Sequence, residues 1–250
     1  MARAPSKPED IFTEFTEDLR QAFGEDLVSI VLYGSGATGE YRPGKSDLNF
    51  LVVLQDDSVD SLRRGMAVAA RWRKRMVNTP LFMTKAYIQS SLDSYPLEFL
   101  DMQANYRLVH GEDVLKDLQF RPADLRVQCE RELKGKAFRL RQVYLEAREN
   151  PRAMREIIAG SITTFTSIFQ GLLFLVGKAV PKTKREIINE VAQEFQLDAG
   201  TFLKLLAIKT GERKASSAET LGLFKKYVAE IDALSSAVDK LPLKKEESVT

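Results

Sequence analysis

The chain contains very little of the two residue types that build disulfides and most zinc centres. Cys129 is the only cysteine, so an intramolecular disulfide is excluded, and the sequence fits the reducing environment of the cytoplasm. His110 is the only histidine, which excludes a metal centre that needs several histidines. The N-terminal segment MARAPSKPEDIF lacks the apolar run of a secretory signal. We therefore expect a cytoplasmic protein.

The chain also lacks a large net charge. Its 37 basic and 35 acidic residues nearly cancel and leave a net charge of +2. This balance does not indicate a nucleic-acid partner, which usually requires a strongly basic face. The densest basic run, Arg71–Arg75, is typical of the solvated face of an amphipathic helix, and we interpret it in that way.

An uncharged segment, residues 157–177, is long enough to cross a bilayer. Three glycines and six polar residues interrupt it, and the polar residues are Ser161, Thr163, Thr164, Thr166, Ser167 and Gln170. A lipid-facing helix seldom carries so many polar side chains. The sequence therefore predicts the buried helix of a bundle and no membrane span.

The hydrophobic periodicity separates the chain into two halves. The first half is predicted to contain helices over 11–23 and 59–76 and strands over 28–33, 48–54 and 81–84. The segment 97–109 fits either a strand followed by a short helix or a single irregular element. From about residue 122 onward only helical patterns occur.

These patterns predict an α+β fold class. A small mixed β-sheet domain with flanking helices is expected over residues 9–118, followed by an all-α helical bundle over 122–242. Residues 1–8 and 243–250 contain little to bury and are predicted to be flexible tails. The inner face of the first bundle helix is predicted to carry Leu133, Phe138, Leu140, Val143 and Leu145. The apolar helix surfaces are compatible with a homodimer.

The stretch from residue 31 to residue 53 carries the strongest functional signal. An apolar strand runs into Gly34-Ser35, and after a spacer of eleven residues Asp47-Leu48-Asn49 opens a second apolar strand. Glycine lets backbone N–H groups approach a phosphate closely, and a serine hydroxyl adds a donor. Residues two apart in a strand point to the same side, so the side chains at 47 and 49 would be presented together. A carboxylate at such a place suits Mg²⁺, which prefers hard oxygen ligands.

This pattern resembles the signature of the nucleotidyltransferases of the DNA polymerase beta type. In that signature a Gly-Ser pair after one strand is followed by Asp-x-Asp or Asp-x-Glu in the next. A sheet domain followed by a helical bundle is similar to the layout of the bacterial aminoglycoside and kanamycin nucleotidyltransferases. The likeness is good over residues 26–54 and only architectural beyond about residue 115. It implies Mg²⁺-dependent transfer of a nucleoside monophosphate from a nucleoside triphosphate to an acceptor hydroxyl.

The resemblance assigns roles to several residues of this motif. It implies that Gly34, Ser35 and Ser46 bind the nucleotide phosphates and that Asp47 binds the metal. Asn49 occupies the place of the second metal-binding carboxylate, where a neutral amide offers one weaker oxygen and no charge. A site that gathers two dications around a triphosphate loses much of its attraction in this way.

A third acid in such enzymes usually comes from a neighbouring strand and acts as the base on the attacking hydroxyl. The predicted strand at 81–84 offers Leu81, Phe82 and Met83 instead. Glu98 and Asp101, from the next element, are the candidates to replace it. They are three residues apart, so in a strand only one of them could face the site.

Two hypotheses follow. The first is a Mg²⁺-dependent transferase that acts on a small-molecule or protein hydroxyl, with Asp47 and Asn49 as its catalytic residues. The second is a non-catalytic relative that keeps the fold, binds a nucleotide and serves regulation or partner binding. The Gly34-Ser35 turn and Asp47 favour the first hypothesis. Asn49 and the missing third acid favour the second. Taken together, these features slightly favour the second hypothesis.

Overall fold

The computed structural model describes residues 4–148 and 150–242 of the chain. These residues form two compact units. The first unit contains the chain up to Asp93 together with Glu98–Gln119, and the second contains Ser94–Leu97 and the chain from Phe120 onward.

The first unit is built around a four-stranded sheet. After a 3-10 turn at Pro8–Ile11, its elements are α1 (Phe12–Phe23), β1 (Leu27–Tyr33), β2 (Asn49–Leu54), α2 (Val59–Arg73), β3 (Leu81–Thr84), α3 (Lys85–Ser91), α4 (Pro96–Ala104, whose first two residues belong to the second unit) and β4 (Tyr106–Gly111). The strand order is β3-β2-β1-β4. β1 runs antiparallel to β2 and β4, whereas β2 and β3 are parallel. The predicted mixed sheet with flanking helices is therefore confirmed.

One face of this sheet carries the hydrophobic core of the unit. Alternate residues of β1 and β2 pack there with the apolar faces of α1 and α2, and the buried members include Ile30, Leu32, Leu48, Phe50, Val52, Phe15, Leu19 and Trp72. Successive side chains of a strand point to opposite faces. Tyr33 and Asn49, which are directly opposite each other in the β1–β2 pair, therefore lie on the other face, at one end of the sheet.

Trp72 joins α2 to α1. Its ring is fully buried and packs edge-on against Phe15, with the ring centroids 5.2 Å apart. Its indole Nε1–H donates to Asp18 Oδ2 at 2.7 Å. The guanidinium of Arg75 lies 4.5 Å from the centre of the Trp72 ring, and Arg75 also pairs with Glu14 of α1 at 2.5 Å. Acidic residues of α1 thus partly neutralise the basic run that ends at residue 75.

The structure corrects the prediction for residues 97–109. The order is a helix followed by a strand, α4 and then β4, rather than a strand followed by a helix. Pro96 is the first residue of α4, where its missing N–H removes no helical hydrogen bond. β4 forms a strand because it pairs with β1, and such a long-range partner is invisible in the local sequence pattern.

The N-terminal segment also differs from the expected tail. Pro5 and Pro8 are both buried, and the carbonyl oxygen of Pro5 accepts a hydrogen bond from the Tyr41 hydroxyl at 2.9 Å. The predicted flexible segment over 1–8 is therefore packed from Pro5 to Pro8. Its first three residues, like the predicted tail over 243–250, lie outside the described residues.

The second unit is helical, as the sequence predicts. Its main helices are α5 (Pro122–Ala147), α6 (Pro151–Leu175), α7 (Lys184–Phe195), α8 (Ala199–Thr210) and α9 (Ser217–Asp239). In the described part of the chain, one segment, Arg152–Leu175, is long and apolar enough to span a membrane. Its apolar side chains Ile158, Ile162, Phe165, Phe169 and Leu172 are all buried within the protein. α6 thus has the character of a core helix.

The predicted inner face of α5 is only partly correct. Leu133 and Leu140 are buried, but Phe138 and Leu145 are 68% and 74% exposed. Positions five residues apart lie about 140° apart around an α-helix. Phe138 and Leu145 therefore lie far from the face that buries Leu133 and Leu140.

Two glycines of α6 should respond oppositely to replacement by alanine. A Cβ at Gly171 would lie 2.4 Å from Leu97 Cδ2 and 3.0 Å from Cys129 Sγ, whereas one at Gly160 would meet open space. We expect Gly171→Ala to lower the free energy of unfolding by about 1–3 kcal/mol through overpacking. Gly160→Ala should raise it by about 0.5–1 kcal/mol through helix propensity. Urea unfolding followed by circular dichroism measures both, and equal effects would contradict the packing at Gly171.

Candidate active site

The turn after β1 is held by glycine. Gly34 has φ +71° and begins the 3-10 turn Gly34–Gly36. The Gly34 carbonyl accepts a hydrogen bond from Ala37 N–H at 2.9 Å. A Cβ at Gly36 would lie 2.9 Å from Leu48 Cδ2. Gly36 therefore lets the turn lie directly on the start of β2. This role was not predicted from the sequence, although the run Gly-Ser-Gly was its visible signal.

The chain entering β2 presents Asp47 and Asn49 on one side. Leu48 between them is fully buried in the core, its N–H donates to Met76 O at 2.8 Å, and its carbonyl accepts from Asn78 N–H at 3.0 Å. Because neighbouring side chains in an extended chain alternate, Asp47 and Asn49 both point away from that core. Asp47 is exposed and has no hydrogen bond or ion pair with any residue that the structure describes.

Asn78 is the residue that completes this side of the site, and sequence analysis did not identify it. Its Nδ2 donates to Asn49 Oδ1 at 2.8 Å. β3 pairs with the later part of β2, from Leu51 to Leu54. The segment that lies beside Asn49 is therefore the one that precedes β3, in which Val77 pairs with Leu48. A polar residue just before an apolar strand was the available signal. Two neutral amides thus meet at the place where the resemblance implies the second carboxylate.

The other predicted phosphate contacts lie around the same turn. The Ser35 hydroxyl has no hydrogen-bond partner among the described residues, so it is available to a ligand. The Ser46 hydroxyl instead accepts from Arg42 N–H at 3.1 Å and closes the loop that leads into β2. Burial raises the pKa of Tyr41 in this loop, and the nearby charges of Asp10 and Asp47 raise it further.

Glu98 and Asp101 are placed differently from the expectation. Both belong to the helix α4, in which residues three apart share a face, so the strand argument does not apply to them. Asp101 Oδ1 accepts from Asn105 Nδ2 at 3.5 Å. Over residues 4–148 and 150–242, no three His, Cys, Asp or Glu side chains come together in a group that could hold a metal ion. Glu98 and Asp101 therefore do not complete a three-carboxylate group with Asp47.

These residues do not fit a two-metal centre. Two dications about 4 Å apart need several carboxylate oxygens, as hard charged ligands. Of the two motif positions, only 47 carries a carboxylate, and the Asn49 oxygen is already engaged by Asn78. The site offers one acid, a free serine hydroxyl and a glycine turn.

Comparisons with known proteins show the fold and the family of the chain. A spectinomycin adenyltransferase, AAD(9) from Enterococcus faecialis, solved with ATP and spectinomycin, has a similar fold, with a TM-score of 0.56 and 14% sequence identity. The alignment covers 93% of this chain and 99% of that one, so the layout of a sheet domain followed by a helical bundle is confirmed. No curated protein matches the chain in sequence. The family model described as a nucleotidyltransferase domain matches residues 13–140, just over half of the chain. The chain belongs to the nucleotidyltransferase domain family.

Proposed function

We propose that this chain binds a nucleoside triphosphate at the Gly34–Gly36 turn but transfers its nucleotidyl group weakly or not at all. The observation that carries the proposal is the hydrogen bond between Asn78 Nδ2 and Asn49 Oδ1, at 2.8 Å. It joins two uncharged amides beside Asp47, so the attraction for two dications is largely absent. The protein would then act through nucleotide-dependent regulation or partner binding.

Nucleotide binding itself is supported by the groups that remain. The glycine turn is partly exposed, so a phosphate can approach its backbone closely, and the Ser35 hydroxyl is available as a donor to a phosphate oxygen. The similar spectinomycin adenyltransferase was solved with ATP, which makes ATP the first nucleotide to test.

Ser35→Ala should weaken ATP binding roughly tenfold, because a hydrogen bond to a charged phosphate oxygen is lost. Isothermal titration calorimetry with ATP, CTP, GTP and UTP, with and without Mg²⁺, measures the dissociation constants. Ser90→Ala is the matched control, since the Ser90 hydroxyl donates only to Tyr87 O on α3. Unchanged ATP affinity in Ser35→Ala would remove the turn from the proposed site.

A second candidate function is the transfer itself, onto a hydroxyl of a small molecule or a protein side chain in the cytoplasm. The observation that favours it is that Asp47 is exposed and unpaired among the described residues, and therefore open to a ligand. Members of the family generally use a divalent metal, so Mg²⁺ and Mn²⁺ are the ions to supply. Labelled nucleotides with either ion test for a labelled product and for pyrophosphate. Turnover that disappears in Asp47→Ala would establish the transferase and overturn the first proposal.

A further inference from the structure

The helical unit contains a cavity whose polar lining is basic. Its volume is about 400 Å³, and it is lined by Arg155, Ile208, Gly211, Arg213, Lys214 and Ala215. Arg155 belongs to α6, whereas Arg213 and Lys214 belong to the connection between α8 and α9. Three cations from two separate segments therefore face one space, and no carboxylate belongs to its lining.

Two of these cations have no partner in the described part of the protein. Arg155 is partly buried, and neither it nor Lys214 forms an ion pair or a hydrogen bond with a described residue. Arg213 pairs with Glu219, in the first turn of α9. A partly buried guanidinium without an acceptor is unfavourable, because it loses water without gaining hydrogen bonds. An anion in the cavity would supply the missing acceptors.

Lys209 directly follows Ile208 of the lining in the sequence, and Lys184 lies close to it. The pKa of Lys209, at the end of α8, is lowered by burial and by the neighbouring charge of Lys184. The nearby Glu212 is already paired with Arg185. Gly211, with φ +77°, ends α8 and turns the chain so that the next residues lie along the cavity.

We propose that this cavity binds a small polyanion, such as a phosphorylated metabolite. Two guanidinium groups suit the paired oxygens of phosphate or carboxylate, and Lys214 adds a third, mobile charge. The volume lies at the lower end of the range for small-molecule sites. A single-stranded nucleic acid would need a longer basic groove with aromatic platforms, so a small anion is favoured.

Tripolyphosphate is the probe, titrated calorimetrically into the full chain at constant ionic strength. We expect a saturable site that persists in Ser35→Ala, and roughly tenfold weaker binding at that site in Arg155→Ala and in Lys214→Ala, because each removes a charge-assisted contact. Arg152→Ala is the matched control on the same helix, since its 86% exposed side chain pairs only with Glu156. Lys204→Ala, an exposed lysine of α8, is the control for Lys214. Both controls should bind as the unsubstituted chain does.

The proposal is overturned if the control variants lose as much affinity as the cavity variants, since the attraction would then be unspecific. It is also overturned if Ser35→Ala abolishes tripolyphosphate binding while Arg155→Ala does not, which would assign the binding to the turn after β1. Affinity that grows with the length of an RNA oligonucleotide, without saturation by tripolyphosphate, would indicate a nucleic-acid surface instead. Circular dichroism checks whether Arg155→Ala is folded. If Arg155→Ala is unfolded, the affinity of Lys214→Ala for tripolyphosphate tests the proposal instead.

Discussion

Asn49→Asp should raise pyrophosphate release from ATP and Mg²⁺ on the order of a hundredfold over the unsubstituted chain, the scale of one well-placed electrostatic group. Asp and Asn have nearly the same shape, and a carboxylate oxygen at 49 can accept the hydrogen bond that Asn78 Nδ2 now makes at 2.8 Å. The substitution therefore adds charge without removing a contact. It places a second carboxylate beside Asp47, on the side of the chain that faces away from the core.

The same variant has a readout that does not depend on turnover. Calorimetric titration with Mn²⁺ should detect binding to Asn49→Asp that is much weaker in the unsubstituted chain, because two adjacent carboxylates attract a dication more strongly than one. Addition of Asp47→Ala to Asn49→Asp should remove both the Mn²⁺ binding and the gain in pyrophosphate release. Gln55→Glu adds the same charge immediately after β2, at the end of the strand opposite Asn49. It should change neither the Mn²⁺ binding nor the pyrophosphate release.

If Asn49→Asp binds ATP and Mn²⁺ but releases no more pyrophosphate than the unsubstituted chain, the neutral amide at 49 is not what limits transfer. The missing third acid would then become the leading explanation. Asn78→Asp in the Asn49→Asp background tests it, because Asn78 is within hydrogen-bond distance of residue 49.

Gly111→Ala should be among the most destabilising single substitutions in the first unit. Gly111 has φ +79°, and a Cβ there would lie 2.0 Å from the carbonyl oxygen of Val28 and 2.9 Å from its carbonyl carbon. Both are backbone atoms of the sheet, so no side-chain rotation can relieve the clash. We expect a loss of roughly 3 kcal/mol or more in the free energy of unfolding, from strain and displacement of β4.

The cost of the clash can be separated from that of the backbone angle. Gly39 has φ +78°, but a Cβ there would meet open space. Gly39→Ala should therefore cost only about 1 kcal/mol, the price of the left-handed conformation alone. Urea unfolding of both variants measures the difference. Amide hydrogen exchange in β1 and β4 should accelerate only in Gly111→Ala, because Gly111 is paired with Ser29 of β1. Equal losses of unfolding free energy in the two variants would show that the sheet accommodates the added Cβ without a further loss of stability.

The first half of the fold was largely predictable because its signals are local. The apolar run before Gly34 is rich in the β-branched residues of a buried strand, and Phe15 and Leu19 recur at helical spacing in α1. These patterns follow from the geometry of single elements, which the sequence carries directly. Prediction failed where the conformation of a segment depends on a partner that is distant in the sequence. Residues 97–109 were left open between two alternatives, neither of which is the observed order of α4 and β4, and Phe138 was assigned to the inside although it is 68% exposed.

The sequence by itself determined the Gly34-Ser35 turn after the first strand, the single acid Asp47 and the amide at Asn49, and with them the family resemblance. Only the tertiary structure decided what stands beside Asn49. Asn78 reaches it across 29 residues of chain, through the pairing of Leu48 with Val77. No local pattern records that contact, because the register of parallel segments depends on how the helix between them packs. The same holds for the cations of the helical unit, which lie on separate segments of the chain and meet only after the helices have packed.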